Sequence, residues 1–324
     1  MSMSSRIFLT GALGFLCSQL IPKLVQQGNE FTLLVRSSKN KSALERVRDK
    51  FGDEIAKDVE IIEGDLDNIS LPGTVHIDVL VHAAAMLDLG ESRKDEVWHT
   101  NVEGTRNVIN FCREHNVKHL TFISTAYTEG RNIYELSKAK CEEEIKESGI
   151  SYTILKPSVI IGSPDDPGPT QAINHIALTI ARLHRTAEMT RLSFQDKLAL
   201  PPFEFKPIFR MKGNPNSTIN LIPVDVVAQK IAKLKGTEGV HYITNPNPPK
   251  LKCVAGELGE ALLLDIKVCE QFTASPIEKI LHKSVKPFLV YMQGEPTFPT
   301  VVSKKFRLPK GYVKATVKTF LNLC

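Results

Sequence analysis

The chain has 324 residues, 42% of them hydrophobic and 24% charged, with a formal net charge of +5. That is enough sequence for one large domain or two modest ones with a sizeable core, and it excludes wholesale disorder. No apolar run approaches the roughly 20 residues that a membrane-spanning helix needs. Met1-Ser2-Met3-Ser4-Ser5 contains no apolar leader core, so a cytoplasmic address is expected. Cysteines 17, 112, 141, 253, 269 and 324 form no C-x-x-C pair and have no histidine pair beside them; they read as free thiols, and no metal site is expected.

In chain order, Arg6–Thr10 reads as a strand and Phe15–Gln27 as a helix with Leu16, Leu20, Leu24 and Val25 on one face. Glu30–Val35 follows as a strand, Lys41–Phe51 as a charged helix, and Val59–Ile62 and Asp78–Ala83 as further strands. Val102–Glu114 is helical, Leu120–Ser124 a strand, Tyr134–Ser148 a helix and Tyr152–Leu155 a strand. Continuous apolar strands separated by helices imply crossover connections and an α/β fold, a doubly wound parallel sheet covered on both faces. Beyond the turn-rich stretch Gly162–Pro169 the rhythm changes: Ala172–Arg185 is helical, and Leu198–Met211 is irregular and holds Phe203, Phe205 and Phe209. Residues 1–162 are read as the nucleotide-binding core and 163–324 as a smaller substrate or cap region, with core elements returning at about 217–245.

Thr10-Gly11-Ala12-Leu13-Gly14-Phe15 places a glycine turn between the first strand and the first helix. There a nucleotide phosphate can meet bare backbone and the free N–H groups of a helix N-terminus. The second strand ends in Val35-Arg36, where NAD-preferring folds carry an acid for the ribose hydroxyls; a cation favours the 2′-phosphate of NADP. Asp65, after the third strand, is placed to meet the adenine amino group. Tyr134 and Lys138 fall at i and i+4 on one helix face, directly after a strand ending in Ser124-Thr125. An ammonium group beside a phenol favours the phenolate and brings its proton into exchange range, while a hydroxyl at the strand end can hold a carbonyl oxygen.

These residues, with Gly64-Asp65-Leu66, His82-Ala83-Ala84-Ala85, Asn101-Val102-Glu103-Gly104-Thr105, Lys156-Pro157-Ser158 and Ile222-Pro223-Val224-Asp225, resemble the extended short-chain dehydrogenase/reductases. Within that family the chain is most similar to the NADP-dependent fatty acyl-CoA reductase and thioester-reductase branch, over residues 6 to about 250. The resemblance implies that Gly11, Ala12, Gly14, Phe15 and Leu16 cradle the pyrophosphate, Arg36 the 2′-phosphate, and Asp65 and Leu66 the adenine. It implies further that Ala83, Ala84, Ala85 and Ser124 line the NADP(H) cofactor and that Pro157, Ser158 and Val159 face the nicotinamide. Thr125 would polarise the substrate carbonyl, Tyr134 donate the proton and Lys138 act as its partner, with Asn101 in support.

The implied activity is reduction of an acyl thioester, on CoA or a carrier protein, to an aldehyde or alcohol. A ketone or aldehyde reductase, a nucleotide-sugar epimerase or dehydratase, and a non-catalytic NADP-binding regulator remain as alternatives. Three departures stand out. Cys17 replaces the third glycine and Lys156 an arginine, and only nine positions separate Thr125 from Tyr134, shorter than the family's usual insert. His82 reads as a packed imidazole.

The last 24 residues carry Lys304, Lys305, Arg307, Lys310, Lys314 and Lys318 and no acid, which leaves the other 300 residues at −1. Nucleic acid is therefore not an expected partner; the tail offers a dock for an acidic carrier protein or another anionic surface. Val313, Val317, Phe320, Leu321 and Cys324 form an apolar stripe on it. The two-helix contact common in the family makes a homodimer a further expectation.

Overall fold

The computed structural model describes residues 5–71, 76–169, 172–198, 201 and 207–323. The chain divides into two compact units, neither of them contiguous in sequence. The first comprises residues up to Ser158, then Val224–Thr244 and Phe298–Ser303; the second comprises Val159–Pro223, Asn245–Thr297 and Lys304–Cys324. The sequence reading put the division after residue 162 and the return at 217–245. Pairing explains the difference: β7 (Val159–Ile161) runs parallel to β9 (Leu221–Pro223), so both stay in the second unit.

The first unit is built on a seven-stranded, wholly parallel sheet. With strands numbered along the whole chain, these are β1 (Arg6–Thr10), β2 (Glu30–Val35), β3 (Val59–Glu63), β4 (Val79–His82), β5 (His119–Ile123), β6 (Tyr152–Pro157) and β10 (Gly239–Ile243). Their order, β3-β2-β1-β4-β5-β6-β10, reverses direction between β1 and β4. At such a switch point a crevice opens at the carboxyl ends of the strands. Helices α1 (Phe15–Gln26), α2 (Ala43–Asp58), α3 (Lys94–Trp98), α4 (Gly104–Glu114), α5 (Ile133–Glu147) and α7 (Val224–Leu234) belong to this unit. α1 buries Cys17, Leu20, Ile21 and Leu24; the predicted face began one residue early, at Leu16. The region read as one helix from Val102 starts instead with a π-helical stretch, His99–Glu103, that runs into α4.

Segment Phe298–Ser303 was not anticipated in this unit. It lies along β10, where Val301 N–H donates to the Tyr242 carbonyl at 2.9 Å and the Thr300 hydroxyl donates to the Thr244 carbonyl at 2.7 Å. The Phe298 ring meets Tyr127 edge-on at 5.2 Å and stacks on Tyr242 at 6.2 Å.

The second unit has its own core, which includes Ile176, Ile180, Phe209, Leu221, Leu258, Leu281 and Val317. Its α6 (Ile173–Leu198) runs well past the expected end at Arg185, because no proline or glycine interrupts the chain before Pro201. β8 (Ile208–Lys212) and β11 (Asp265–Cys269) pair in parallel, and α8 (Leu251–Leu262), α9 (Pro276–Leu289) and α10 (Tyr312–Phe320) complete the unit. Phe209 is fully buried on β8, whereas Phe203 and Phe205 lie outside the described residues. α10 buries Val313 and Val317, so the tail's apolar stripe is a packing face; Cys324 at its end lies outside the described residues. Among the described residues no helix is long and apolar enough to cross a membrane.

One buried carboxylate fastens the second unit together. Glu278, on the first turn of α9, is fully buried. It accepts the Arg210 guanidinium through both oxygens, at 2.7 and 2.9 Å, together with the Arg210 N–H. It also accepts the Ser275 N–H, closing a capping box. Burial pushes this carboxyl up, but the Arg210 and Ser275 donors outweigh it and hold it at about 2. Because the folded value lies below the unfolded one of about 4.3, the stabilisation is complete above that pH and fades as the pH falls toward 2. Glu278→Gln is expected to lose on the order of 2–4 kcal/mol at neutral pH, as when one partner of a buried pair is removed. Urea titrations at a series of pH values check this: the gap between wild type and variant must narrow on acidification.

Candidate active site at the carboxyl edge of the parallel sheet

The turn after β1 is shaped by a lack of space. Gly11 has φ +73°, and a Cβ there would lie 2.5 Å from the Ala84 nitrogen and 2.7 Å from the Ala83 carbonyl carbon. No side chain fits, and the backbone after β1 therefore runs directly against the backbone after β4. Gly14 closes the turn, its N–H donating to the Gly11 carbonyl at 2.9 Å, and it caps α1 with no side-chain acceptor. Side chains do cap α2, α5 and α9, from Ser42, Asn132 and Ser275. The first-turn amides of α1, at Phe15 and Leu16, are thus left for an anion, as a dinucleotide pyrophosphate requires. Ala12 is buried in the turn. Cys17 stands where the third glycine was expected, but its side chain belongs to the buried face of α1 and burial pushes the thiol up to about 12. The residues present therefore fit a dinucleotide pyrophosphate.

A chain of hydrogen bonds holds the two backbones at this distance. Ala84 N–H donates to the Thr10 hydroxyl at 3.3 Å, and that hydroxyl lies 2.7 Å from His82 Nδ1. His82 Nε2 lies 3.1 Å from the Thr105 hydroxyl, which itself donates to the Asn101 carbonyl at 2.6 Å. The Thr105 proton is thereby committed, so Nε2 carries the imidazole proton and Nδ1 accepts from Thr10. Burial, aided by the charge of Lys138, lowers His82 to about 3 and keeps it neutral. Asn101 in turn clamps Met86, accepting from its N–H at 2.8 Å and donating to its carbonyl at 3.1 Å, and donates to the Ser137 hydroxyl at 2.9 Å.

At the end of β2, Arg36 is exposed and its carbonyl accepts a hydrogen bond from Arg46 of α2. Two guanidinium-bearing residues therefore meet at this loop; the sequence reading named only the first. The signal for Arg46 lay in its place, one turn into the helix after the loop. Asp65 Oδ1 accepts from the N–H groups of Asp67 and Asn68 at 3.0 and 3.1 Å. The Leu66 side chain rests against Gly104, and its carbonyl accepts from Asn107 at 2.9 Å. Ala83 and Ala84 are half-buried and Ala85 is exposed.

Helix α5 begins at Ile133, with Asn132 as its cap, so Tyr134 and Lys138 sit on its first two turns. Lys138 is buried and donates to the Ile123 carbonyl, the last residue of β5, at 2.7 Å; its ammonium lies 4.4 Å from the Phe122 ring centroid. The short loop from Thr125 to Tyr134 thus keeps the helix in register with the strand end. Arg131 braces this loop, paired with the buried Glu135 at 2.9 Å and placed 5.1 Å above the Tyr127 ring. Thr125 is buried, its hydroxyl accepting from Tyr127 N–H at 3.2 Å, and the next N–H, of Ala126, donates to the Pro157 carbonyl at 2.7 Å. The strand end and the start of the predicted nicotinamide segment are therefore adjacent. Ser158 is buried and its hydroxyl has no partner among the described residues, and Val159 opens β7 in the second unit.

The Ser124 hydroxyl, expected to line the cofactor, donates to the buried Glu142 at 2.5 Å. One expectation needs correction. The Tyr134 phenol was expected to be lowered by Lys138; burial instead pushes it up, with Cys141 and Glu135 adding to the rise, while the Lys138 ammonium is aimed at the Ile123 carbonyl. Lys138 is itself lowered by burial, to about 8. Tyr134 thus holds its proton at neutral pH, as a donor must. Among the described residues no cluster could hold a metal ion.

Comparison with known proteins gives relatives in sequence and in fold. Residues 9–133 match a family described as "Male sterility protein". The chain is 30% identical over 191 residues to "Fatty acyl-CoA reductase wat" of Drosophila melanogaster, covering 46% of this chain and 36% of that protein. It is 27% identical over 150 residues to a UDP-glucose 4-epimerase of Pisum sativum, covering 44% and 42%. The chain thus spans well under half the length of these curated relatives. Among solved structures, the terminal R domain of the myxalamid PKS-NRPS pathway superposes with a TM-score of 0.68 at 18% identity, over 100% of this chain and 91% of that one. A UDP-N-acetylglucosamine 4-epimerase from Methanobrevibacter ruminantium M1, in complex with UDP-N-acetylmuramic acid, gives 0.64 at 15% identity, over 98% and 99%. With the glycine turn at the sheet's switch point and the Tyr134–Lys138 helix after β5, these matches make the chain similar to the extended short-chain dehydrogenase/reductases, in sequence over its first part and in fold over its whole length.

Proposed function

We propose that the protein is an NADPH-dependent reductase of a carbonyl substrate, and that this substrate is an acyl thioester on CoA or a carrier protein. The observation that carries the reading is the Lys138 ammonium, buried and fixed to the end of β5, one helical turn from a phenol that keeps its proton. A reduced nicotinamide supplies the hydride. The chain's residues supply the rest: Tyr134 gives a proton to the substrate oxygen, Lys138 stabilises the phenolate left behind, and the Thr125 hydroxyl orients the carbonyl. For a thioester, addition of hydride at the carbonyl carbon and loss of the thiol yields an aldehyde, and a second hydride and proton yield the alcohol.

Gly11, Ala12, Gly14, Phe15 and Leu16 would hold the pyrophosphate, Asp65 and Leu66 the adenine, and Ala83, Ala84 and Ala85 the far side of the cofactor. Pro157, Ser158 and Val159 would meet the carboxamide end. Arg36, joined by Arg46, would bind the 2′-phosphate. This cationic loop favours NADPH and speaks for a reductase over an epimerase, the reading that the nucleotide-sugar relatives support. The thioester rests on similarity to the acyl-CoA reductase and the R domain.

The partner proposed for the basic tail is an acidic carrier protein. Asn247 clamps the carbonyls of Lys304 and Phe306 at 2.9 and 2.8 Å, which fixes the backbone of this basic segment, and Lys314 pairs with Glu260 at 2.9 Å. A homodimer and a cytoplasmic location are part of the same proposal.

Arg36→Ala should weaken NADPH roughly 10- to 100-fold, as loss of a charge-assisted bond implies, and leave NADH nearly unchanged; titrating nicotinamide fluorescence checks this. Equal affinity for the two dinucleotides before and after the substitution would sink the NADP assignment. Tyr134→Phe should retain NADPH binding and lose at least about 100-fold in reduction of acyl-CoA or aldehyde substrates. A wild type that binds NADPH but oxidises it with none of them is a regulator and not a reductase; turnover of a UDP-sugar with catalytic NAD would make it an epimerase.

A further inference from the structure

The Tyr134–Lys138 helix carries one more buried charged group that the reaction above leaves idle. Glu142 lies one turn beyond Lys138 on α5 and is 6% exposed. One of its oxygens accepts from the Ser124 hydroxyl at 2.5 Å and from the Lys156 ammonium, and the other lies 3.8 Å from Lys146 on the solvent side. Lys156, on β6, is 2% exposed; it also donates to the Thr128 hydroxyl at 3.1 Å and lies 5.5 Å from the Tyr242 ring centroid. One carboxylate thus serves two buried ammonium groups, Lys156 by direct contact and Lys138 by its field from one turn away.

We propose that Glu142 and Lys156 act as a charge-setting pair for the Tyr134–Lys138 couple. Glu142 favours the ammonium form of Lys138, and Lys156 moderates that pull by sharing the same carboxylate. The Ser124 bond ties the pair to the end of β5. The inference rests on Tyr134 and Lys138 being the proton-donating couple, and it makes Glu142 and Lys156 positioning residues.

The other groups facing Lys138 include one more that bears on its charge. On its own helix, Tyr134 is pushed up by burial, and the Cys141 thiol, also pushed up by burial, favours the ammonium form of Lys138 ahead of Glu142. From β4 comes His82, neutral because burial holds it at about 3. From β5 come the Ile123 carbonyl and the Phe122 ring, neither titratable. Among the described residues Glu142 is the carboxylate that acts on Lys138, beside the Cys141 thiol. Burial has already brought Lys138 down to about 8, close to working pH, so a modest change in its surroundings decides its charge. Loss of the Glu142 charge favours the neutral amine. Loss of Lys156 removes a neighbouring cation and leaves the carboxylate's field to Lys138, which favours the ammonium form.

The test is a pH titration of the Lys138 Cε resonance in protein labelled with ¹³C-lysine, assigned from the Lys138→Arg spectrum. It needs neither substrate nor turnover. Glu142→Gln is expected to lower the Lys138 midpoint by about one pH unit or more, Lys156→Met to raise it, and Lys156→Arg to leave it near wild type. Should Glu142→Gln not fold, the Met and Arg variants at 156 still decide the matter. A midpoint that stays put, or moves the same way when either partner is lost, overturns the proposal and reduces the pair to a structural tie. If the wild type is a reductase, the fall in kcat at alkaline pH should follow the same midpoints. Opposite shifts in a protein that reduces nothing would uphold the pair and defeat the reductase reading.

Discussion

The fit of the first strand–helix turn against the backbone after β4 governs the nucleotide-binding unit. With no room for a side chain at Gly11, two main chains meet at the point where the sheet reverses its strand order. Close approach of two backbones is stable only if their polar groups are satisfied, and the Ala84–Thr10–His82–Thr105–Asn101 chain does this with side chains from β1, β4 and α4. Because the imidazole in its centre is neutral, it transmits order without adding charge to a site that already holds two buried lysines. Asn101 carries the chain on to Ser137 of α5, and thereby ties the glycine turn to the helix bearing Tyr134 and Lys138.

Much of this unit was legible in the sequence because its signals are local. β1 and β2 lie where apolar runs flanked by turn residues put them, and α7 and β10 follow the same logic. Tyr134 and Lys138 were readable because helical spacing alone puts them on one face. What escaped depends on contacts distant in sequence. Phe298 packs on Tyr127 and Tyr242 from a stretch with no strand signature of its own. β8 and β11 are short parallel partners separated by more than fifty residues, and nothing in either announces the other. Ser124 looked like a residue of the ligand site, and only the fold shows that Glu142, eighteen positions later, claims its hydroxyl.

Charge is handled differently in the two units. The first keeps ionised groups inside and gives each a fixed partner: Lys138 a carbonyl and a ring, Lys156 the Glu142 carboxylate, and Arg131 the Glu135 carboxylate. The second has one deep clamp, Arg210 with Glu278, and carries the cations of the tail on its surface. The formal charge of +5 therefore describes neither unit; it reports a short C-terminal stretch.

The chain crosses between the two units five times, and the last return into the first unit is only six residues long, Phe298–Ser303. Those residues fill an aromatic gap and bond to Tyr242 and Thr244. A growing polypeptide cannot finish its nucleotide-binding unit until residue 303 has left the ribosome. No fragment ending before residue 298 contains a complete first unit, and a protease that cuts anywhere in 245–297 severs the tether of its final piece. Neither unit is contiguous along the chain, so shuffling either one as a contiguous cassette would leave both unfinished.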